Sequence, residues 1–193
     1  MRGCNCCCNV PTKCRSIFPG RGACVGRLVF EDDVKFATGW RDRFLQTLDE
    51  LYTAHGPHFI LSLYSPHDAV NSAWLETEQL AVPYATAAFM GTQGVYFPEP
   101  VRRDFADYLR IYGVDDNLMP YDCLLENYCE QCQVPLFATV PSLVQHVGVQ
   151  TTGLSGGKAV GHTSSLFVED VTKPKTPVPV IHFDLGKPAA TGG

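Results

Sequence analysis

Short apolar runs, too brief for helices, alternate along this chain with longer stretches whose apolar residues recur every three or four positions. Residues 27–30 (RLVF) read as a short buried strand, HFILSLY at 58–64 as a second, and YATAAFM at 84–90 as a third, with VYF continuing to Pro98. Between them, Trp40, Phe44, Leu45, Leu48, Leu51 and Tyr52 share one face of a helix that Thr38 can cap and Gly56 stops. Val101, Phe105, Tyr108, Leu109 and Tyr112 form another stripe, entered through Pro100 and ended by Gly113. Asp122 is placed to cap a third helix over 123–131, with Leu124, Leu125 and Tyr128 inward. PLFATV then leads to PSLVQHVG at 141–148. Strands alternating with helices predict an α/β sheet. In such sheets, ligands bind beyond the carboxyl ends of the strands.

Composition sets the limits around that pattern. With 193 residues, 45 % hydrophobic and 18 % charged, the chain has material for one sizeable core. Residues 25–153 carry the periodic pattern and are read as the core domain. Residues 1–24 are read as an irregular, cysteine-rich leader, and 154–193 as a tail, first rich in Ser and Gly, then in Pro. The net charge of −5 argues against an electrostatic nucleic-acid binder. No apolar run approaches the ~18 residues of a membrane span, and MRGCNCCCNVPTKC lacks the apolar stretch of a signal peptide. Six of the nine cysteines fall in the first 24 residues, and Cys123, Cys129 and Cys132 share one later segment. None shows the doubled C-x2-C spacing of a structural zinc site.

Four features carry possible chemistry. Glu31, Asp32 and Asp33 follow directly on the first apolar run, where three like charges repel and a low-dielectric edge strengthens the repulsion. If the segment stays extended, Glu31 and Asp33 point one way and Asp32 the other. Such a pair can hold a hard divalent cation, Mg2+ or Mn2+; it is also the composition of a solvated turn. His146 lies in an apolar setting, where an imidazole is commonly a core residue, and it gains meaning if it meets Asp33 in space. Asp122 is either a helix cap or a general base, with Asp115, Asp116 and Glu126 as rivals. Glycines in GTQG at 91–94 permit close approach of backbone to a ligand, and equally suit a plain turn.

The order of these elements is informative. An apolar strand closing on EDD, a helix, a strand ending SLYSP, then YATAAFMGTQGVYFP, a helix, YDCLLENYC and ATVPSLVQHVG resembles the metal-dependent nucleotide-sugar glycosyltransferases of the GT-A fold. Within them the likeness is to N-acetylglucosaminyltransferase IV-like and lipopolysaccharide-type enzymes, over about residues 27–153. The resemblance implies an incomplete GT-A (Rossmann-like) mixed sheet flanked by helices. It implies that Glu31 and Asp33 match an acidic pair touching metal, ribose and diphosphate, with Asp32 beside them in the donor site. It implies that His146 completes the shell of Mn2+ or Mg2+. Thr92, Gln93 and Gly94 would match a glycine loop beside the donor sugar, and Asp122 the base of inverting members. The implied partners are a nucleotide-sugar donor, a uridine diphosphate sugar first among them, and a glycan or other hydroxyl acceptor. A Golgi lumen is the location a relative would permit. The run after Gly148 is either a cover over the site during transfer or a plain linker.

In one respect the chain departs from that pattern. GT-A enzymes carry a nucleotide-binding βαβ half before the acidic triplet, and only 30 residues precede Glu31 here. A βαβ unit needs about 30 or more. The expectation is a reduced uridine pocket, an exposed sheet edge and weak or absent catalysis by this chain alone. Two other classes stand beside the enzyme: a silent glycan- or protein-binding module on the same sheet, and a cysteine-cluster metal protein.

Overall fold

The computed structural model describes residues 26–66, 78–112, 119–147, 163–164 and 167–173. In chain order they form β1 (Gly26–Phe30), β2 (Val34–Phe36), α1 (Trp40–His55), β3 (Ile60–Ser62), β4 (Ala81–Pro83), β5 (Gly94–Pro98), α2 (Glu99–Tyr112), α3 (Tyr121–Cys132), β6 (Leu136–Thr139) and β7 (Val144–His146). Five strands make one mixed sheet in the order β1-β5-β3-β6-β4, and β2 pairs with β7 in a separate two-stranded sheet. β3 and β6 run parallel; β1, β5 and β4 join antiparallel to their neighbours. The chain is therefore mixed α/β, as its alternating pattern predicts.

Side-chain alternation divides the core in two. Ile60, Val95, Phe97, Leu136 and Ala138 pack with Val101, Phe105 and Tyr108 of α2 and Leu125, Tyr128 and Cys129 of α3. Leu61, Leu63, Tyr96 and Phe137 face the other way, onto Phe44, Leu48 and Leu51 of α1. Helices thus cover both faces, and the central strands are buried on both, which is why they read as unbroken apolar runs. Each wholly buried leucine, phenylalanine or isoleucine contributes about 1.5–3 kcal/mol of transfer free energy.

Several local readings are corrected. Thr38 does not cap α1; the N-cap is Gly39, at φ 77°, with no side-chain cap. A Cβ at Gly39 would run into the Thr172 side chain, and Thr38 instead pairs with Asp170 in an isolated bridge. YATAAFM is not a strand: β4 lies just before it, and Thr86–Ala88 is a 3-10 turn closed by Ala88 N–H on Ala85 O. Short apolar runs do not distinguish these outcomes by periodicity alone. RLVF is half-buried rather than buried, because β1 is an edge strand that turns Leu28 and Phe30 to the core and leaves Val29 exposed. Asp122 lies inside the first turn of α3, which Pro120 precedes as N-cap. Gly56 does stop α1, at φ 59°. Gly113 lies outside the described residues.

Residues 163–164 and 167–173, in the stretch read as tail, contact the core. Thr38 N–H donates to Glu169 O and Val171 N–H to Thr38 O, at 2.7 and 3.1 Å. Ser164 is buried against Gln145 and Ser142. No helix among the described residues is long and apolar enough to cross a membrane.

Candidate metal centre

The two parallel strands fix one end of the sheet as the carboxyl end. Chain leaving β3, chain leaving β6, the end of β1 and the start of β5 all meet there, as their pairings require. Leu63, just past β3, donates its N–H to Gly94 O at 2.8 Å and accepts from Leu143 N–H at 2.8 Å. That carbonyl anchors the two-stranded sheet beyond the end of the large one.

The acidic triplet is the turn by which the chain crosses from one sheet to the other. Phe30 ends β1 and Phe36 ends β2, and the rings meet edge-on at 4.7 Å. Both also rest on Trp40, at 5.9 and 4.8 Å. This aromatic trio, worth about 0.5–1.5 kcal/mol per pair beyond its burial, closes the base of the turn. The segment is turned rather than extended, yet Glu31 and Asp33 still converge and Asp32 still faces water.

Strand register brings the histidine in. β2 and β7 pair antiparallel with Val34 opposite His146, and Val147 N–H extends the ladder to Asp33 O at 2.9 Å. His146 Nε2 lies 3.0 Å from Asp33 Oδ2, across 113 residues of sequence. Glu31, Asp33 and His146 each offer a ligand atom within 4.8 Å of the others. Donors on opposite sides of a cation held at about 2.1 Å lie about 4.2 Å apart, so separations of this order leave the three groups near enough to share one ion.

Two further observations bear on that fit. Asp33 Oδ1 is closed off from solvent with no hydrogen-bond partner among the described residues. A buried carboxylate oxygen left so is costly unless positive charge reaches it. Lys35, the nearest cation in sequence, is drawn away into an ion pair with Glu169. Glu31 is oriented by Thr92, whose hydroxyl donates to Glu31 Oε1 at 2.8 Å, the kind of outer contact that holds ligating carboxylates. The two carboxylates suit Mn2+ or Mg2+ in donor type, and the imidazole shifts the preference away from Mg2+ toward a transition-metal ion.

The other predicted residues gather around this turn. Glu31 N–H donates to Gln93 O at 3.4 Å, seating the GTQG loop against the acidic residues. Gly94 is closely packed: a Cβ would sit 3.2 Å from the Phe30 ring and 3.3 Å from Val144, so those side chains would have to give by a few tenths of an ångström. At the loop's other end, Gly91 N–H donates to Asp122 Oδ2 at 3.4 Å, while Asp122 Oδ1 accepts from Cys123 N–H at 3.0 Å. A bonded path therefore joins Asp122, the loop, Glu31, Asp33 and His146.

Sequence reasoning missed the floor and the brace. Tyr64, just past β3, is buried near enough to feel Glu31; burial above all, then Tyr84 and Glu31, push its phenol up, so it stays neutral. Its position at the carboxyl end of an apolar run was the available signal. Gln145, next to His146, grips the backbone of Ser164: its amide accepts from the N–H at 2.7 Å and donates to the carbonyl at 3.0 Å. Ser142, two residues before β7, accepts from Ser65 N–H at 3.0 Å and from the Ser164 hydroxyl at 3.2 Å. Nothing in the local sequence advertises a contact 19 residues away.

Cys123, Cys129 and Cys132 lie on α3, and none of the three is in a disulfide. Burial first, then Cys132 and Glu130, push the Cys129 thiol up to about 12, which keeps it protonated and a poor ligand or nucleophile. The N-terminal cysteines, the span 148–162 read as a cover, and the rival carboxylates Asp115 and Asp116 lie outside the described residues. Neither the family models nor the curated proteins compared with this sequence gave a match.

Proposed function

We propose that this chain is a metal-dependent, inverting glycosyltransferase domain of GT-A type that moves a sugar from a nucleotide-sugar donor to a hydroxyl acceptor. The observation that carries the reading is the meeting of Asp33 and His146 at 3.0 Å, with Glu31 completing the triad. Glu31, Asp33 and His146 would hold Mn2+ or Mg2+, which supplies positive charge where a leaving diphosphate becomes more negative. Thr92 keeps Glu31 aimed at that position. The GTQG loop, lying between Glu31 and Asp122, lines the space for the transferred sugar. Asp122 takes the proton of the acceptor hydroxyl as it attacks from the far side, inverting the anomeric carbon. Both backbone N–H contacts hold its carboxylate in place for that step.

The same two contacts favour a second reading, in which Asp122 only fastens the loop to α3 and the chain binds a ligand without turning it over. Titration calorimetry of the full chain with Mn2+ and uridine diphosphate, followed by hydrolysis and transfer assays with uridine diphosphate sugars, separates the two. The enzyme reading expects Mn2+-dependent binding and released uridine diphosphate, lost in Asp122→Asn with binding retained. Binding with no turnover on any donor supports the silent module. No Mn2+ uptake would end both.

A further inference from the structure

The triad depends on the end of one short strand. β2 and β7 have three residues each, and a two-stranded ribbon of that size is marginal by itself. Val144, at the start of β7, is anchored in the core, with Val34 and Phe36 packed there from β2. Past Val144 the anchoring weakens, because the next apolar residue, Val147, is 51 % exposed. His146 therefore stands where a strand would ordinarily fray, 113 residues along the chain from the Asp33 it must meet.

The ribbon is gripped from its other face. Alternation puts Lys35 and Gln145, which are register partners, opposite to the face of Val34 and His146. The chain returns across that side. The Gln145 amide accepts from Ser164 N–H at 2.7 Å and donates to Ser164 O at 3.0 Å. Lys35 pairs with Glu169, but both side chains are largely exposed, so that pair holds weakly. Thr38 N–H donates to Glu169 O and Val171 N–H to Thr38 O, which fastens the chain beyond the end of β2. Among these contacts, the Gln145 grip is the one that falls on β7, one residue from His146. What it grips is itself fixed: Ser164 is buried, with its hydroxyl on Ser142, which in turn accepts from Ser65 N–H. Using both ends of the amide sets its direction as well as its reach.

We infer that Gln145 is a positioning residue for the metal centre: its two-point grip on the Ser164 backbone holds the end of β7 against β2 and keeps His146 within reach of an ion shared with Glu31 and Asp33. This rests on the triad being a metal centre. Gln145 does not touch the ion and acts through His146. Two hydrogen bonds together shift the opening of a strand end by about ten- to a hundredfold. When the end opens, the ion keeps the two carboxylates and loses the imidazole. The apparent affinity then falls with the fraction of molecules that stay closed.

The test uses the full chain with Mn2+ alone. Calorimetry reads affinity, pulsed electron paramagnetic resonance reads the nitrogen coupling of bound Mn2+, and thermal melts read folding. Wild type is compared with Gln145→Met, which keeps the length of the side chain and loses both bonds, with His146→Ala, and with the double variant. Wild type should show the coupling of a directly bound imidazole. Gln145→Met should stay folded, bind Mn2+ about tenfold more weakly and lose most of that coupling. The double variant should bind as His146→Ala does, since Gln145 then has nothing to position. Wild-type affinity and coupling in Gln145→Met overturn the role of Gln145 and leave the metal centre standing. So does an effect of Gln145→Met that persists undiminished once His146 is gone, or a Gln145→Met chain that is unfolded at the assay temperature. Mn2+ held by wild type without nitrogen coupling overturns the place of His146 as well. No Mn2+ uptake by wild type overturns the metal centre itself.

Discussion

Two acidic settings in this protein solve the same electrostatic problem in opposite ways. Glu99, at the start of α2, has its cations supplied by the helix itself. Arg102 and Arg103, three and four residues on, bond it at 2.7 and 2.8 Å. Those bonds, Arg102 first, hold its carboxyl down at about 2. At the turn after β1, three consecutive carboxylates receive no lysine or arginine among the described residues. Thr92 and His146 contact two of them, and one buried oxygen of Asp33 has no partner. Helical spacing makes the first arrangement self-sufficient. The second is assembled from strands distant in sequence, and its Asp33 oxygen is left without a partner among the described residues. An ion pair that closes locally serves stability; under the proposed function, the acidic cluster held open by tertiary structure serves binding.

The sharpest way to break the contrast is to remove what holds the turn. Trp40 carries both Phe30 and Phe36, and Trp40→Ala should destabilise the protein by about 3 kcal/mol. It should also loosen Mn2+ binding, since Glu31 and Asp33 lose their common base. Denaturant unfolding and calorimetry on the same sample check this. Stability lost with Mn2+ affinity intact would show the turn to be fixed by other contacts.

The next variant acts on the charges alone. Without added cation, Asp33→Asn should leave stability within about 0.5 kcal/mol of wild type, because repulsion is relieved as the His146 contact weakens. With Mn2+ at a hundred times its dissociation constant, wild type should gain about 2.7 kcal/mol and Asp33→Asn almost none. Thermal melts with and without Mn2+ read this directly. Equal gains in the two proteins would mean that the ion binds elsewhere.

The same contrast explains what the sequence disclosed. Helices were legible because their apolar stripes repeat within a few residues: Phe44, Leu48 and Leu51 on α1, and Val101, Phe105 and Tyr108 on α2, are buried as their spacing predicts. The grouping of Glu31, Asp33 and His146, which the structure brings within 4.8 Å of one another, was also readable from residue chemistry and order along the chain. Their meeting depends on the β2–β7 register, with Val34 opposite His146, and no local pattern encodes that. Ends of elements were legible only where backbone geometry is dictated, as at Gly56. Thr38 has the chemistry of a cap, but the segment around Asp170 competes for it, so tertiary pairing decided the outcome. YATAAFM misled because alternation over so few residues fits a strand and a 3-10 turn equally.

The smallest effect belongs to the self-sufficient partner. Because the folded-state pKa of Glu99 lies below its ordinary 4.5, at about 2, its contribution is fully present above pH 4.5. It is lost as pH falls through that window toward 2, where folded and unfolded forms are both protonated. Glu99→Gln should therefore cost at most about 1 kcal/mol at neutral pH, since the pair is a near-surface one and water screens it. The difference from wild type should shrink steadily between pH 4.5 and 2 in urea unfolding curves. Addition of Mn2+ should shift Glu99→Gln and wild type equally, because α2 supplies its own cations and takes no part in holding the ion. A Mn2+ response that differs between them would dissolve the division between a closed acidic cluster and an open one.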